Sequence, residues 1–196
     1  MSTLDNLVSE VYNITNRPDL VNETLTAIRA ATLKAHQSEF FPKDLFETAL
    51  QFDSSEYQQT LQYRQIFPRW RALKHLRKWD AVNEQPGKFL EIISIDKTLD
   101  SYSINREDVV YLAGANIQIR SIDQQQYYLI AIYQHPDVTV VGYNSWIADE
   151  HPFVIVFDAA RVIFKMIGFD EQSSAYDKLT QEQYAELKAQ ILANGW

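Results

Sequence analysis

Cysteine is absent from the chain, which excludes disulfide bridges and zinc held by thiolates. Glycine is scarce, and Gly87, Gly114, Gly142, Gly168 and Gly195 stand far from one another. A phosphate loop or dinucleotide fingerprint needs clustered glycines so that backbone N–H groups can approach phosphate, so nucleotide-binding classes of that kind are excluded. There is no G-x-S-x-G elbow and no cysteine nucleophile. The histidines, His36, His75, His135 and His151, include no pair at metal-ligand spacing and no H-E-x-x-H. No apolar run approaches the roughly 18–20 residues of a membrane span. The longest, Phe153 to Ile167, is interrupted by Asp158, Arg161 and Lys165, so it reads as a core helix. Residues 1–15 lack the basic and apolar regions of a secretory leader. These absences lead us to expect a soluble, non-enzymatic protein without metal, cofactor or membrane partner.

What is present is acidity, aromatic residues and one basic stretch. The 196 residues carry a formal net charge of −8 with a pI near 5.0, which argues against a general nucleic-acid binder. Yet Arg64, Arg69, Arg71, Lys74, Arg77 and Lys78, with His75, fall within one segment that contains no acid. Tyr63, Trp70 and Trp79 lie among them. Such a segment suits a partner protein, a nucleic-acid path lined by bases and aromatic rings, or a solvated face whose long stems cover apolar surface.

Periodicity gives the organisation. Leu4, Leu7, Val8 and Val11 predict a helix over 3–14, with Ser2 or Thr3 as its cap. Asn16-Arg17-Pro18-Asp19 marks a break, and a second helix is expected over 18–37. Phe40-Phe41-Pro42 ends it. Residues 43–67 fit helix and strand about equally. Trp70, Leu73, Leu76 and Trp79 step by three, which favours a helical turn or two with the bases opposite. Asn83–Gly87 is turn chemistry. The runs Phe89–Ile95, Val109–Ala113, Asn116–Ser121 and Gln126–Gln134 predict an antiparallel sheet of three or four strands, with a hairpin at Gly114-Ala115. Helix returns near Asp149, taken as an N-cap, and stops at Gly168. A last helix starts at Asp170, and Thr180-x-x-Gln183 suggests a restart near Leu179. The expected fold is α+β: one domain over 1–196, a helical bundle of about four helices (1–42 and 148–196) holding an inserted basic, antiparallel β-rich segment (43–147).

The candidate sites are surfaces. Asp149-Glu150-His151 is the densest group of potential ligands, but helix-start capping explains it. Asp96, Asp100, Glu107 and Asp108 flank loops at a spacing that fixes no mutual geometry for acid–base work. Trp146, after Tyr143 and before the apolar helix, is either a core plug or an interface anchor.

Several segments together resemble the head–tail connector (adaptor) proteins of tailed bacteriophages, podophage-like in kind. They are Asn16-Arg17-Pro18-Asp19-Leu20 with Glu23-Thr24, Ala30-Ala31-Thr32-Leu33-Lys34-Ala35-His36, Phe40-Phe41-Pro42-Lys43-Asp44, Leu76-Arg77-Lys78-Trp79-Asp80, Leu99-Asp100-Ser101-Tyr102, Tyr111-Leu112-Ala113-Gly114 and Ser145-Trp146-Ile147-Ala148-Asp149-Glu150-His151-Pro152. The resemblance implies a structural virion protein, made in the bacterial cytoplasm and placed at the head–tail interface. It implies a ring of about twelve copies under the portal, closed by heterologous contacts, which extends the channel for genomic DNA and receives a tail or nozzle protein. It implies no active site and no cofactor. Within it, Tyr184, Leu187, Ile191 and Trp196 on the last helix are expected to dock on the portal, so that removal of residues from about Thr180 onward should leave the bundle folded but abolish portal binding. Arg64, Arg69, Arg71, Lys74, Arg77 and Lys78 would meet the portal, a neighbour or DNA. Two other functions compete: a small nucleic-acid-binding or regulatory protein using residues 64–78, and a small hydrolase using the loop carboxylates.

Overall fold

The computed structural model describes residues 2–51, 58–80, 82–99, 104–121 and 127–193, with side chains as far as Ala189. The fold is α+β, and the chain divides into a helical unit, Met1–Asp44 with His135–Trp196, and a β unit, Leu45–Gln134.

In the helical unit, α1 (Thr3–Thr15) opens on a capping box: the Asp5 N–H donates to the Ser2 hydroxyl at 3.2 Å, and the Ser2 N–H donates back to the Asp5 carboxylate at 3.0 Å. Asn16, in the left-handed region at φ 53°, ends it. Pro18 and Asp19 form a turn, Arg17 pairs with Asp19 at 2.7 Å, and α2 (Val21–Gln37) starts later than the proline suggested. Its buried stripe is Ala27, Ile28, Ala31 and Ala35, while Val21 is exposed. Small residues there let a neighbouring helix come close. After a 3-10 turn at Pro42–Asp44 the chain leaves the unit. It returns through α4 (Trp146–Glu150), α5 (Pro152–Met166) and α6 (Asp170–Ala193).

The cap at this return is Ser145, whose hydroxyl accepts from the Ala148 N–H at 3.2 Å. Asp149 is not the N-cap; it lies inside α4, and Pro152 occupies the first turn of a separate helix, where its missing N–H costs nothing. α5 is the hub. Val154, Ile155, Val156, Ala159 and Ile163 are buried against α1, α2, α4 and α6, and each large side chain so buried contributes roughly 1.5–3 kcal/mol. Gly168 (φ 82°) then closes a Schellman motif. The Phe169 N–H donates to the Phe164 carbonyl at 2.9 Å, the Gly168 N–H donates to Lys165, and the two phenylalanine rings stack. α6 runs without a restart at Leu179. The Thr180 hydroxyl donates to the Tyr176 carbonyl at 2.7 Å instead of capping a new helix.

The β unit carries β1 (Leu45–Gln51), β2 (Gln58–Gln62), α3 (Tyr63–Ile66), β3 (Trp70–Asp80), β4 (Gln85–Phe89), β5 (Glu91–Ile92), β6 (Val109–Ala113), β7 (Asn116–Arg120) and β8 (Tyr127–Gln134). They build two four-stranded sheets, β1-β8-β3-β4 and β2-β7-β6-β5; the first is antiparallel, and in the second β5 lies parallel to β6. Leu76, Tyr128, Ile130 and Ile132 of the first sheet share a buried cluster with Val110, Ile117 and Ile119 of the second. Six helices and two sheets are therefore described, and the chain is not a simple four-helix bundle holding one sheet.

The largest departure from the sequence expectation is β3, where helix had been favoured. Its register against β8 shifts between Trp70 and Ala72 and again between Leu73 and His75. Each shift is a bulge that adds one residue without a partner. Trp70, Leu73, Leu76 and Lys78 consequently sit opposite Gln134, Ile132, Ile130 and Tyr128, alternate residues on one face of β8. Two bulges turn a step of three into the single face of a strand.

Candidate functional site

The bulges also disperse the basic segment. Arg64 lies on α3, Arg69 just beyond it, and Arg71 and Lys74 at the two bulges. Arg77 points to the opposite face from Leu76, where Glu47 on β1 accepts from its guanidinium at 3.1 Å and lies 3.2 Å from His75 Nε2. Phe89 lies over both, 5.5 Å from the Arg77 guanidinium and edge-on to His75. Lys78 turns inward, is 7% exposed, and pairs with Asp108 at 2.8 Å. Lys88 reaches the other Asp108 oxygen, and the two ammonium groups hold that carboxyl below its ordinary range against the cost of burial. Lys78 thus belongs to the interior, and the exposed bases of the segment are Arg64, Arg69 and Lys74. Arg64 and Arg69 flank a packed set of rings in which Tyr63, Phe67 and Trp70 adjoin, with Tyr63 and Trp70 centroids 4.3 Å apart.

The residues expected to dock on the portal divide differently. Leu187 is fully buried in the core of the helical unit, and Tyr184 packs against the same core. Burial pushes the Tyr184 phenol upward, with the nearby Asp158 carboxylate adding to the effect. Lys34 lies over its ring at 5.5 Å and donates to Asp158 at 2.8 Å; Arg161 binds Asp158 through two nitrogens. This face of α6 packs on α5, with Lys34 of α2 over the Tyr184 ring, so the buried Leu187 offers no outward docking surface. The side chains of Ile191 and Trp196 lie outside the described residues, as does the loop acid Asp100.

Trp146 anchors the most organised polar group in the molecule. Its indole N–H donates to Asp44 Oδ1 at 2.8 Å, its ring meets Phe41 and His36 edge-on, and Lys43 lies over it at 5.0 Å. Asp44 Oδ1 is also 2.7 Å from His36 Nδ1, and His36 Nε2 is 2.9 Å from the Ser145 hydroxyl. Tautomer logic follows from the acceptor-only carboxylate. With a neutral imidazole, His36 donates through Nδ1 to Asp44 and Nε2 accepts from Ser145. The connectivity is that of a serine nucleophile, its base and its orienting acid. The group is enclosed. Ser145 is 2% exposed and His36 1%; the serine oxygen already caps α4; rings of Trp146 and Phe41 close the site. The arrangement joins α2, the Pro42–Asp44 turn and the start of α4. Sequence reasoning did not find it. Its one local trace is a serine placed three residues before Ala148 as an N-cap, and its partners stand about a hundred residues away.

Beside it, Tyr143 approaches Thr32 Oγ1 at 2.6 Å. Thr32 spends its own proton on the Ile28 carbonyl, so Tyr143 is the donor, and burial pushes its phenol up to about 12.

A cleft of about 520 Å³ opens between α1 and the α4–α5 joint. Leu7, Pro152 and Phe153 give it an apolar floor, and Glu10 and Asp149 stand at its edge. Asp149 accepts from the Thr3 hydroxyl at 2.9 Å, and Glu10 has no described partner. The helical unit as a whole holds eight basic and fifteen acidic side chains, a formal net of −7, against ten and eleven, net −1, in the β unit. The acidity of the chain is therefore the acidity of its helices.

Among the described residues, no cluster of three or more histidine and carboxylate side chains is placed to hold a metal ion, and no described helix is long and apolar enough to cross a membrane. No family model matches the chain, and no curated protein matches its sequence.

Proposed function

We propose that this chain is a head–tail connector subunit: a structural protein that sits between the portal and the tail, packs beside copies of itself in a ring, and continues the channel through which genomic DNA passes. The observation that carries this reading is convergence. Three of the segments that bear the connector resemblance, Ala30–His36, Phe40–Asp44 and Ser145–Pro152, supply His36, Phe41, Asp44, Ser145 and Trp146 to one buried polar joint. Segments distant in the chain that meet at a single joint behave as one structural signature. A joint so enclosed stiffens a scaffold, as an assembly subunit requires.

Leu187 is buried in the subunit's own core, and Tyr184 packs against it. The reading therefore leaves the portal to surfaces that remain exposed. One is the turn after β8, where the Asp137 carboxylate accepts from the Thr139 N–H at 2.9 Å and from its hydroxyl at 2.7 Å, presenting Val140 and Val141 outward. The test is assembly with the chain withheld. Heads should form, package DNA and remain without tails. Normally tailed, infectious particles in its absence would refute the proposal.

Exposed Arg64, Arg69 and Lys74 favour one second reading, a nucleic-acid contact. Its signature would be duplex affinity that falls steeply with salt as counterions are released. Affinity insensitive to salt, or none, removes it.

A further inference from the structure

Resting on the connector reading, we propose that the α3 turn of one copy docks in the α1/α4–α5 cleft of its neighbour, so that the ring contact is a heterologous joint between the β unit of one chain and the helical unit of the next. Charge complementarity points to this occupant. The cleft belongs to a unit of net charge −7, and its edge carries Glu10 and Asp149. The turn is an exposed basic part of a nearly neutral unit, and among the described residues Arg64 has no carboxylate partner, while Arg69 reaches Gln134 at 3.4 Å.

Apolar complementarity runs in the same direction. Ile66, between the two arginines, is 46% exposed, and Phe46 beside Phe67 is 43% exposed. Pro152 and the 47% exposed Phe153 offer matching apolar surface in the cleft. An isoleucine flanked by two guanidinium groups thus meets an apolar floor flanked by two carboxylates. Arginine suits such a rim, since its planar fork pairs with carboxylates while its stem covers carbon. The turn is held for the purpose: the Phe67 N–H donates to the Tyr63 carbonyl at 2.7 Å, and the Tyr63 hydroxyl donates to the Gly114 carbonyl at 3.2 Å. Two different patches in contact propagate head to tail, which closes into a ring when the rotation permits.

The test uses the full chain, alone at low ionic strength and on purified portal, with self-association measured by sedimentation. A cleft variant carries Glu10→Lys and Asp149→Lys, and a turn variant carries Arg64→Glu and Arg69→Glu. Circular dichroism establishes that each folds, and Glu10→Lys alone serves if the Asp149 change disturbs α4. Each variant alone should associate about tenfold or more weakly than wild type, as loss of close charge pairs at an interface produces. A 1:1 mixture of the two should recover association, because reversed cleft meets reversed turn and native meets native. Wild type that assembles while both variants assemble equally well would overturn the contact and leave the connector reading standing. Wild type that assembles neither alone nor on portal would overturn both. Duplex DNA binding lost in the turn variant, with self-association unchanged, would give the turn to nucleic acid and overturn the contact.

Discussion

Removal of the Asp44 carboxylate should cost far more than removal of any surface charge. Its side chain is 3% exposed, and Oδ1 takes hydrogen bonds from His36 Nδ1 at 2.7 Å and Trp146 Nε1 at 2.8 Å. In Asp44→Ala both nitrogens lose their acceptor inside a closed pocket, and each unsatisfied buried group costs about 1–3 kcal/mol. His36 can shift its proton to Nε2 and donate to Ser145, but Nδ1 then becomes an acceptor without a partner, so the relief is partial. The indole N–H has no such escape. The expected loss is about 4 kcal/mol, which lowers Tm by at least about 8 °C. Asp44→Asn keeps one acceptor oxygen and should lose about half as much. Arg17→Ala breaks an ion pair whose partners are 38% and 59% exposed, and should lose no more than about 1 kcal/mol. Denaturant titration followed by far-ultraviolet circular dichroism, with the slope unchanged, measures all three. An Asp44→Ala loss within about 1 kcal/mol of the Arg17→Ala loss would refute the claim that this carboxylate holds the joint.

Two further outcomes follow from the same geometry. Leu187→Ala should destabilise the helical unit by about 2–5 kcal/mol, because Leu187 is fully buried, and truncation from Thr180 should melt the unit instead of leaving it folded; a truncated chain with wild-type Tm would contradict the placement. The Tyr143 phenol lies above its ordinary value of 10.0, at about 12, because burial disfavours its anion. The folded chain then holds a proton that the unfolded chain releases, so this group's contribution is intact below pH 10 and is lost as pH rises toward 12. Tyr143→Phe should flatten that part of the stability profile, and an unchanged alkaline slope would show that Tyr143 does not titrate late.

Much of the secondary structure was legible because its signals are local. The Ser2 or Thr3 cap and the stripe Leu4, Leu7 and Val11 place α1, and the alternation of Ile117, Ile119, Tyr128, Ile130 and Ile132 places β7 and β8. Gly168 announces a stop that a Schellman motif then makes. What failed needed partners. The step of three through Trp70, Leu73 and Leu76 is helical in isolation and becomes one face of β3 only because bulges at Arg71 and Lys74 absorb two residues against β8. Parallel pairing of β5 with β6 leaves no local mark, since the seventeen residues from Ile92 to Asp108 separate the paired Glu91 and Val109. The apolar face of α6 was readable, but the owner of the surface it covers was not; Leu187 turns out to serve its own core. The site was least legible of all, since His36, Asp44, Ser145 and Trp146 are ordinary residues until the fold joins them.

The most direct measurement mixes the purified chain with the phage portal protein that the connector account assigns to it and reads the native mass of what forms. The connector account predicts one discrete species, portal plus an integral ring of this chain, on the order of twelve copies, with no intermediate stoichiometry at saturation. Free portal and free chain at every mixing ratio would contradict it.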